Sequence, residues 1–413
     1  MIPLRLDEVE ALTKGRLEAA PGAGEVTGVQ VDSRRVVLGD LFVAVGRGAE
    51  FIDDAKARGA AATLVPEEPF ATFAALGSAV RDRTSARVVG ITGSTGKTST
   101  KDILAALCAP AARTVATEAN FNNEIGVPLT LCRLEPDTEV CILELSMRGL
   151  GQIRELCAFA RPEIGVITNI GPVHLELVET VERVAEAKAE LIAALPAGGV
   201  AVVPEEPLLE PYLRDDVEIR RFGQVGEVGV FHVDGRDVRL RLNFTQRHQA
   251  QNTLAALHAY AALGFPLEDG ELVVEFSRLR GEELPLPGGG VLINDCYNAN
   301  PISMRAALAD LAARGNGGRR VAVLGDMAEL GPNGPGYHHE VGEAAAELGV
   351  DELVAIGELA RGYVAGAAGV PARWAATVDE GIAEVRAALR PGDVVLVKGS
   401  RAMGLERIAE ELL

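Results

Sequence analysis

The sequence predicts an α/β protein of three units, the central one a doubly wound, mostly parallel sheet. Three observations carry this reading. At 413 residues the chain is too long for a single hydrophobic core. Near-continuous apolar runs over 140–146, 164–170 and 199–203 read as strands buried on both faces, separated by helical stretches, as a parallel sheet requires. Over 87–108 an apolar run, a glycine-rich turn and an amphipathic run follow one another as strand, turn and helix.

Taken in order, residues 1–85 form a first small α/β unit. Its strands are expected over 26–34, 39–45 and 62–65, with a helix over 53–61. Asp32, Ser33 and Arg34 close the first strand, a place where ligand contacts often occur, although a capped turn with a surface arginine accounts for them more simply. The central unit spans 86–281. Helices are expected over 101–108, 181–195 and 250–262, and shorter strands within 217–244 read as an antiparallel edge. Pro285-Leu-Pro-Gly-Gly-Gly290 reads as a linker. It falls at the start of a second α/β unit, 282–413, with strands over 291–294, 320–324, 352–356 and 393–397 and helices over 303–313 and 338–348.

Composition narrows the function classes. The chain is 48% hydrophobic and 24% charged, as soluble globular proteins are. A net charge of −19 disfavours nucleic acid, which needs a basic face, but leaves room for nucleotides, which need only a local cluster of donors. No run reaches membrane-span length, so no membrane insertion is expected. The N-terminus lacks a basic segment followed by an apolar one, so no signal peptide is expected. Five scattered cysteines without CxxC spacing read as reduced thiols in a cytoplasmic protein.

The candidate chemistry lies at strand ends. Gly93, Ser94, Thr95 and Gly96 can bring backbone N–H groups to a phosphate, and the following helix adds the positive end of its dipole. Lys97 would reach the β- and γ-phosphates, and the Thr98 hydroxyl would sit on Mg²⁺. The strict P-loop pattern places a glycine five residues before Gly96, where Ile91 stands. Glu144, at the end of an apolar strand, can hold Mg²⁺ as a Walker B acid does. His174, after Thr168-Asn-Ile-Gly-Pro-Val, suits a metal or phosphate role and a structural one equally. Lys188, within Ala185-Glu-Ala-Lys-Ala-Glu-Leu191, reads as a surface lysine beside Glu186 and Glu190. Asp295 is placed to accept ribose hydroxyls, in a turn richer in asparagine (Asn298, Asn300) and tyrosine than a helix cap needs. Lys398-Gly-Ser400-Arg401 closes the last strand with an anion site or a basic loop.

Together these motifs resemble the Mur ligase family of ATP-dependent amide-bond ligases, over nearly the whole chain and in the family's order. The blocks are Gly93–Thr98, Asn120-Phe-Asn-Asn-Glu-Ile-Gly-Val-Pro128, Glu144-Leu-Ser-Met, Thr168-Asn-Ile-Gly-Pro-Val-His174, Ala187-Lys-Ala-Glu, Arg247-His-Gln-Ala-Gln-Asn252, Asp295-Cys-Tyr-Asn-Ala-Asn-Pro301, Gly325-Asp-Met-Ala-Glu-Leu-Gly331 and Leu396-Val-Lys-Gly-Ser-Arg401. The resemblance makes Ile91 part of the family's form of the loop. It implies a Rossmann-like C-terminal domain that closes over ATP and admits an amine, and an N-terminal domain that holds the uridine end of a substrate. It implies ATP and Mg²⁺ as cofactors, with catalytic roles for Lys97, His174 and Lys188, the last matching a lysine carbamylated in several members. ATP contacts extend to Ser99, Asn252 (adenine), Arg280 (phosphates) and Asp295 (ribose), and Thr98, Glu144 and His174 would ligate Mg²⁺. Substrate contacts fall on Asp32, Ser33, Arg34, Asn122, Asn123, Asn298, Asn300, Lys398, Ser400 and Arg401. Tyr297-Asn-Ala-Asn-Pro301 favours the member that adds D-alanyl-D-alanine to UDP-muramoyl-tripeptide, and a monomer is expected. The alternatives are an amino-acid-adding Mur ligase, a folylpolyglutamate synthase-like enzyme, and a nucleotide-binding scaffold without catalysis. The chain departs from the family after Gly46-Arg-Gly48, where an Asp-Gly-His segment is missing, and at 145–152.

Overall fold

The computed structural model describes residues 1–314 and 317–413. Its central sheet has six strands, ordered Glu218–Phe222, Val200–Pro204, Ile164–Ile167, Arg87–Thr92, Val140–Glu144 and Thr114–Ala116, all parallel. The apolar runs read from the sequence supply its middle four strands, and the α/β class is borne out. Helices Lys97–Cys108 and Arg247–Ala262 pack together on one face, and Gln152–Ala160 packs with Val181–Ala194 elsewhere on the unit.

The expected antiparallel edge is only half right. Glu218–Phe222 extends the central sheet in parallel, because the chain returns to it by the crossover turn Pro207–Tyr212. Antiparallel pairing begins one strand later, in the hairpin of Val230–Val233 with Arg236–Leu242. That hairpin leaves the central sheet and forms a small one with Gly270–Leu272.

The C-terminal sheet also has six strands, ordered Glu282–Pro285, Val291–Asp295, Val394–Lys398, Arg320–Gly325, Glu352–Ile356 and Ala372–Ala375. All are parallel except the first pair. The segment read as a linker is the turn of that first pair. Leu284 faces Leu292 across the hairpin, and Gly288, Gly289 and Gly290 turn the chain with φ of 86°, 89° and 96°. Three consecutive glycines let the backbone take a left-handed course that side chains resist, so flexibility in composition becomes a fixed turn.

Near the N-terminus, Gly15–Ala19, Ala62–Pro66, Asp40–Val43 and Gly28–Gln30 form a four-stranded sheet. Where the Asp-Gly-His segment is missing, a 3₁₀ turn, Gly46–Phe51, runs straight into helix Ile52–Ala57.

Packing joins these sheets unequally. Helix Pro69–Arg81 lies against Gly126–Leu131 and Gln152–Ala160, and one apolar core runs from Leu4, Phe73 and Leu76 to Val88, Leu131, Ile153 and Leu191. The C-terminal sheet has its own two cores, one on each face, around Leu308 and Leu324 and around Val397 and Ile408. Phe73 is 1% exposed at the centre of the shared core. Phe73→Ala should therefore cost about 3–5 kcal/mol, and chemical denaturation followed by probes in the first 85 residues and in the central sheet should show both transitions moving together. Independent movement of the two would contradict a shared core.

Candidate active site

The carboxyl ends of the central strands carry the site, as open parallel sheets arrange it. Strand Arg87–Thr92 lies between Val140–Glu144 and Ile164–Ile167, with Ile91 opposite Glu144 and Thr92 opposite Ile167. The loop that follows has no room for a side chain at either glycine. A Cβ on Gly93 (φ 149°) would fall 1.8 Å from Thr168 Oγ1, and one on Gly96 (φ 77°) 2.4 Å from Asn252 Oδ1. The loop is tied to the next strand end. Thr95 N–H donates to Asn169 Oδ1 at 2.9 Å, and Ser94 Oγ accepts from Gly171 N–H at 2.9 Å. Lys97 folds back and donates to Gly93 O at 2.8 Å.

Thr98, the second residue of helix Lys97–Cys108, donates its hydroxyl to Glu144 Oε2 at 2.7 Å. The other Glu144 oxygen accepts from Asn122 Nδ2 at 2.8 Å, and Ser146 Oγ bonds Asn122 Oδ1 at 3.0 Å. Glu144 is 2% exposed. Its hydrogen-bond partners are both neutral, and the cation it acts on is Lys97. Burial lowers the Lys97 pKa, which nearby Glu144 raises and Arg280 lowers further.

His174 caps the short helix Leu175–Val178 from a left-handed backbone (φ 54°), and its Nδ1 meets Glu329 Oε2. Burial lowers its pKa against the pull of Glu329, and Lys97 and Lys188 add to the lowering. Lys188 is not the surface lysine its neighbours suggested. It is 2% exposed, and among the described residues its ammonium makes no hydrogen bond or ion pair. Burial first, and Lys97 second, push its pKa well below the ordinary lysine value. Val184, Lys188 and Leu191 share one buried stripe of helix Val181–Ala194, so the i, i+4, i+7 pattern held the signal. Glu190, on another face, accepts from Arg154 N–H at 3.0 Å.

Arg280 stacks its guanidinium 4.0 Å from the Tyr297 ring centroid. Its Nε is buried without a hydrogen-bond partner, a cost that an anionic ligand would relieve. Beside it opens a cavity of about 730 Å³ between helix Arg247–Ala262 and the C-terminal sheet, walled by Phe244, His248, Gln249, Ile293 and Asp295 among others. Burial lowers the His248 pKa. The sequence reading passed over His248 and Gln249, although they adjoin Asn252 in the same motif. Asn252 itself bridges two places: its Oδ1 lies beside Gly96, and its Nδ2 donates to Gln249 Oε1 at 3.1 Å.

Other expected residues have local partners. Lys398 is 2% exposed and donates to Asp295 Oδ2 at 2.7 Å and Asn298 O at 3.0 Å, so its charge is already balanced. Ser400 Oγ accepts from Ala328 N–H at 2.8 Å, and Arg401 pairs with Glu406. Asn300 caps helix Pro301–Ala313 in a capping box with Ser303. Asn123 accepts from Gly126 N–H at 3.0 Å, at the start of helix Gly126–Leu131. Ser99 is buried next to Thr98. Asp32, Ser33 and Arg34 lie in the N-terminal sheet's 3₁₀ turn and make no contact with this cluster among the described residues. There Asp32 is held at about 2 by the Arg34 guanidinium, which it meets at 2.7 Å.

The profile of the Mur ligase middle domain matches residues 91–260, and that of the Mur ligase glutamate ligase domain matches 280–401. A UDP-N-acetylmuramoyl-tripeptide–D-alanyl-D-alanine ligase from Synechocystis is 34% identical over 94% of this chain and 92% of its own. The chain belongs to the Mur ligase family. A Bacillus subtilis protein of the same name is 31% identical over 100% of this chain and 99% of its own. Among solved structures, MurF from Acinetobacter baumannii superposes with a TM-score of 0.86 at 28% identity, covering 99% of this chain and 98% of that one. MurF from Thermotoga maritima in complex with ADP gives 0.78 at 27% identity, covering 93% and 96%. As a Mur ligase the chain is an ATP-dependent amide-bond-forming enzyme. No helix among the described residues is long and apolar enough to cross a membrane.

Burial of Lys188 in this Mur ligase has a measurable cost. Between its lowered folded pKa and the unfolded value near ~10.4, the unfolded chain binds more protons, so this residue's penalty shrinks as pH rises through that window. In CO₂-free buffer Lys188→Met should raise the thermal midpoint at neutral pH, with the gain fading towards pH ~10. A lower midpoint at pH 7 would contradict the unpaired amine.

Proposed function

We propose that this Mur ligase joins D-alanyl-D-alanine to UDP-N-acetylmuramoyl-tripeptide through an acyl phosphate, in the cytoplasm and as a monomer. The carrying observation is the cluster at the P-loop. Lys97 lies near both the orphaned Arg280 and one buried carboxylate, Glu144, with Lys188 beside Lys97, and two cationic groups against one carboxylate leave a surplus that a polyphosphate would balance. The full-length likeness to ligases of that name supports the substrates, and the ADP complex of the Thermotoga relative supports the nucleotide.

Residues 86–281 hold ATP in this reading. The loop N–H groups and Lys97 take the phosphates, Arg280 approaches them from above the Tyr297 ring, and the adenine enters the cavity beside His248 and Gln249. Asp295 lines the same cavity within reach of a ribose. Residues 1–85 hold the uridine end through the turn at Asp32, Ser33 and Arg34. Residues 282–413 admit the dipeptide amine near Asn298 and Ser400.

The donor set fits Mg²⁺. Thr98 Oγ1 and Glu144 offer hard oxygens 2.7 Å apart, and His174 lies near Lys97 of the same loop. Among the described residues no group of three or more acidic, histidine or cysteine side chains forms a closed cage. That suits an ion that keeps its waters and shares phosphate oxygens. When bound, Mg²⁺ would neutralise charge on the phosphates. Lys188, with its pKa lowered by burial and by Lys97, gives up its proton more readily than a solvated lysine, and its free amine can add CO₂ and lose a proton, giving a carbamate in a pocket otherwise rich in cations.

The substrate carboxylate attacks the γ-phosphorus, and ADP leaves. The dipeptide amine then attacks the acyl carbon, the C–O bond to phosphate breaks, and the amine gives up a proton. Lys97 stabilises charge where it gathers on the transferring group. The chain supplies no covalent nucleophile.

The test is phosphate release with ATP, UDP-muramoyl-tripeptide and D-Ala-D-Ala. Turnover should require the dipeptide and fail with free D-Ala, and Lys97→Ala should lower it at least ~10³-fold while the circular dichroism spectrum is kept. Release driven equally well by single amino acids would overturn the substrate assignment.

A further inference from the structure

A carboxylate with no role so far reaches the candidate metal site from the C-terminal sheet. Glu329 lies in the loop after strand Arg320–Gly325, and His174 in the loop after strand Ile164–Ile167 of the central sheet. Their side chains meet at Glu329 Oε2 and His174 Nδ1. Both residues hold left-handed backbone, with φ of 61° and 54°, which costs a residue with a side chain free energy. The surroundings fix both. Ser400 N–H donates to Asp326 O at 3.0 Å, Ala328 N–H to Ser400 Oγ at 2.8 Å, and Met327 N–H to His338 Nε2 at 2.9 Å. On the other side, Gly331 packs against the backbone of Leu175 and Glu176, and Ile302 sits over Gly171.

We propose that Glu329 is a positioning residue that holds the Nδ1–H of His174 across the junction of the two sheets, so that Nε2 presents its lone pair to the metal. This rests on the reading of His174 as a Mg²⁺ ligand. The chemistry follows from the carboxylate, which when ionised can only accept. The ring nitrogen it meets must then carry the hydrogen, and the other is left free. A carboxylate behind a ligating histidine fixes the ring's tautomer and orientation and raises its basicity. Because the two residues sit on different sheets, the metal site gains its final ligand geometry only when the C-terminal sheet is seated.

The test compares wild type, Glu329→Ala and Glu329→Gln as full chains, with Mn²⁺ as probe in the presence of ADP. Metal binding is read by electron paramagnetic resonance, and the His174 tautomer by ¹⁵N chemical shifts in the metal-free protein. Glu329→Ala should weaken Mn²⁺ binding ~10–100-fold and mix the tautomers. Glu329→Gln, whose amide oxygen still accepts, should restore most of both. The Glu329 side chain is 41% exposed, so truncation leaves no core cavity. Unchanged Mn²⁺ affinity and unchanged ¹⁵N shifts in Glu329→Ala would overturn the proposal. His174→Ala separates the two levels. If it too leaves Mn²⁺ affinity intact, the metal reading of His174 falls and the proposal with it. If it weakens binding while Glu329→Ala does not, the positioning role alone falls.

Discussion

The central constraint is the register of three parallel strands. Ile91 lies opposite Glu144 on one side, and Thr92 lies opposite Ile167 on the other. That alignment brings the glycine loop, the Glu144 carboxylate and the 168–174 loop out of the sheet at one level. Side chains alternate faces along a strand, so a slip of one residue would turn Glu144 away from Thr98 and separate the two oxygens that meet at 2.7 Å. The register is fixed by strands buried on both faces, each with a single way to hide its apolar side chains. The geometry of the site is therefore a by-product of core packing beneath it.

Above that edge the electrostatics run against stability. Lys97 lowers the readiness of Lys188 to hold a proton, and Arg280 does the same to Lys97. Two cations of the C-terminal unit are instead paired. Lys398 is bound to Asp295, and Arg319 is shared between Glu352 and Asp393. The chain carries a net charge of −19, yet at this edge cationic side chains outnumber the one buried carboxylate beside them. That contrast separates a ligand site from a structural ion-pair network better than the overall charge does.

Most of the sheet architecture could be read from the sequence, because parallel strands buried on both faces leave continuous apolar runs. The loop and Glu144 were legible for the same reason: each sits at the end of such a run. What escaped depended on contacts distant in sequence. Lys188 was misread because its flanking glutamates dominate the local composition, whereas the stripe it shares with Val184 and Leu191 decides its burial. The 285–290 segment was misread because glycine and proline mark a turn and a linker alike, and only the pairing of Leu284 with Leu292 distinguishes them. Glu218–Phe222 was misread because a short strand among turns looks the same in sequence whether it pairs parallel or antiparallel. The contact between His174 and Glu329 joins residues 155 positions apart, through backbone conformations that neither side chain advertises.

The single core that runs from Leu4 and Phe73 through Val88 to Leu191 has a consequence for substrate choice. It makes the N-terminal and central sheets one rigid frame, with the Asp32 turn at one place and Lys97 at another. On the proposed reading these are the anchor for the uridine and the point of reaction. A fixed frame with two anchors acts as a ruler. A muramoyl-peptide one residue too short would be gripped by its nucleotide and still leave its carboxylate out of reach of the γ-phosphate. Selection by length would then cost the enzyme no dedicated pocket, because the measurement is built into the packing of helix Pro69–Arg81.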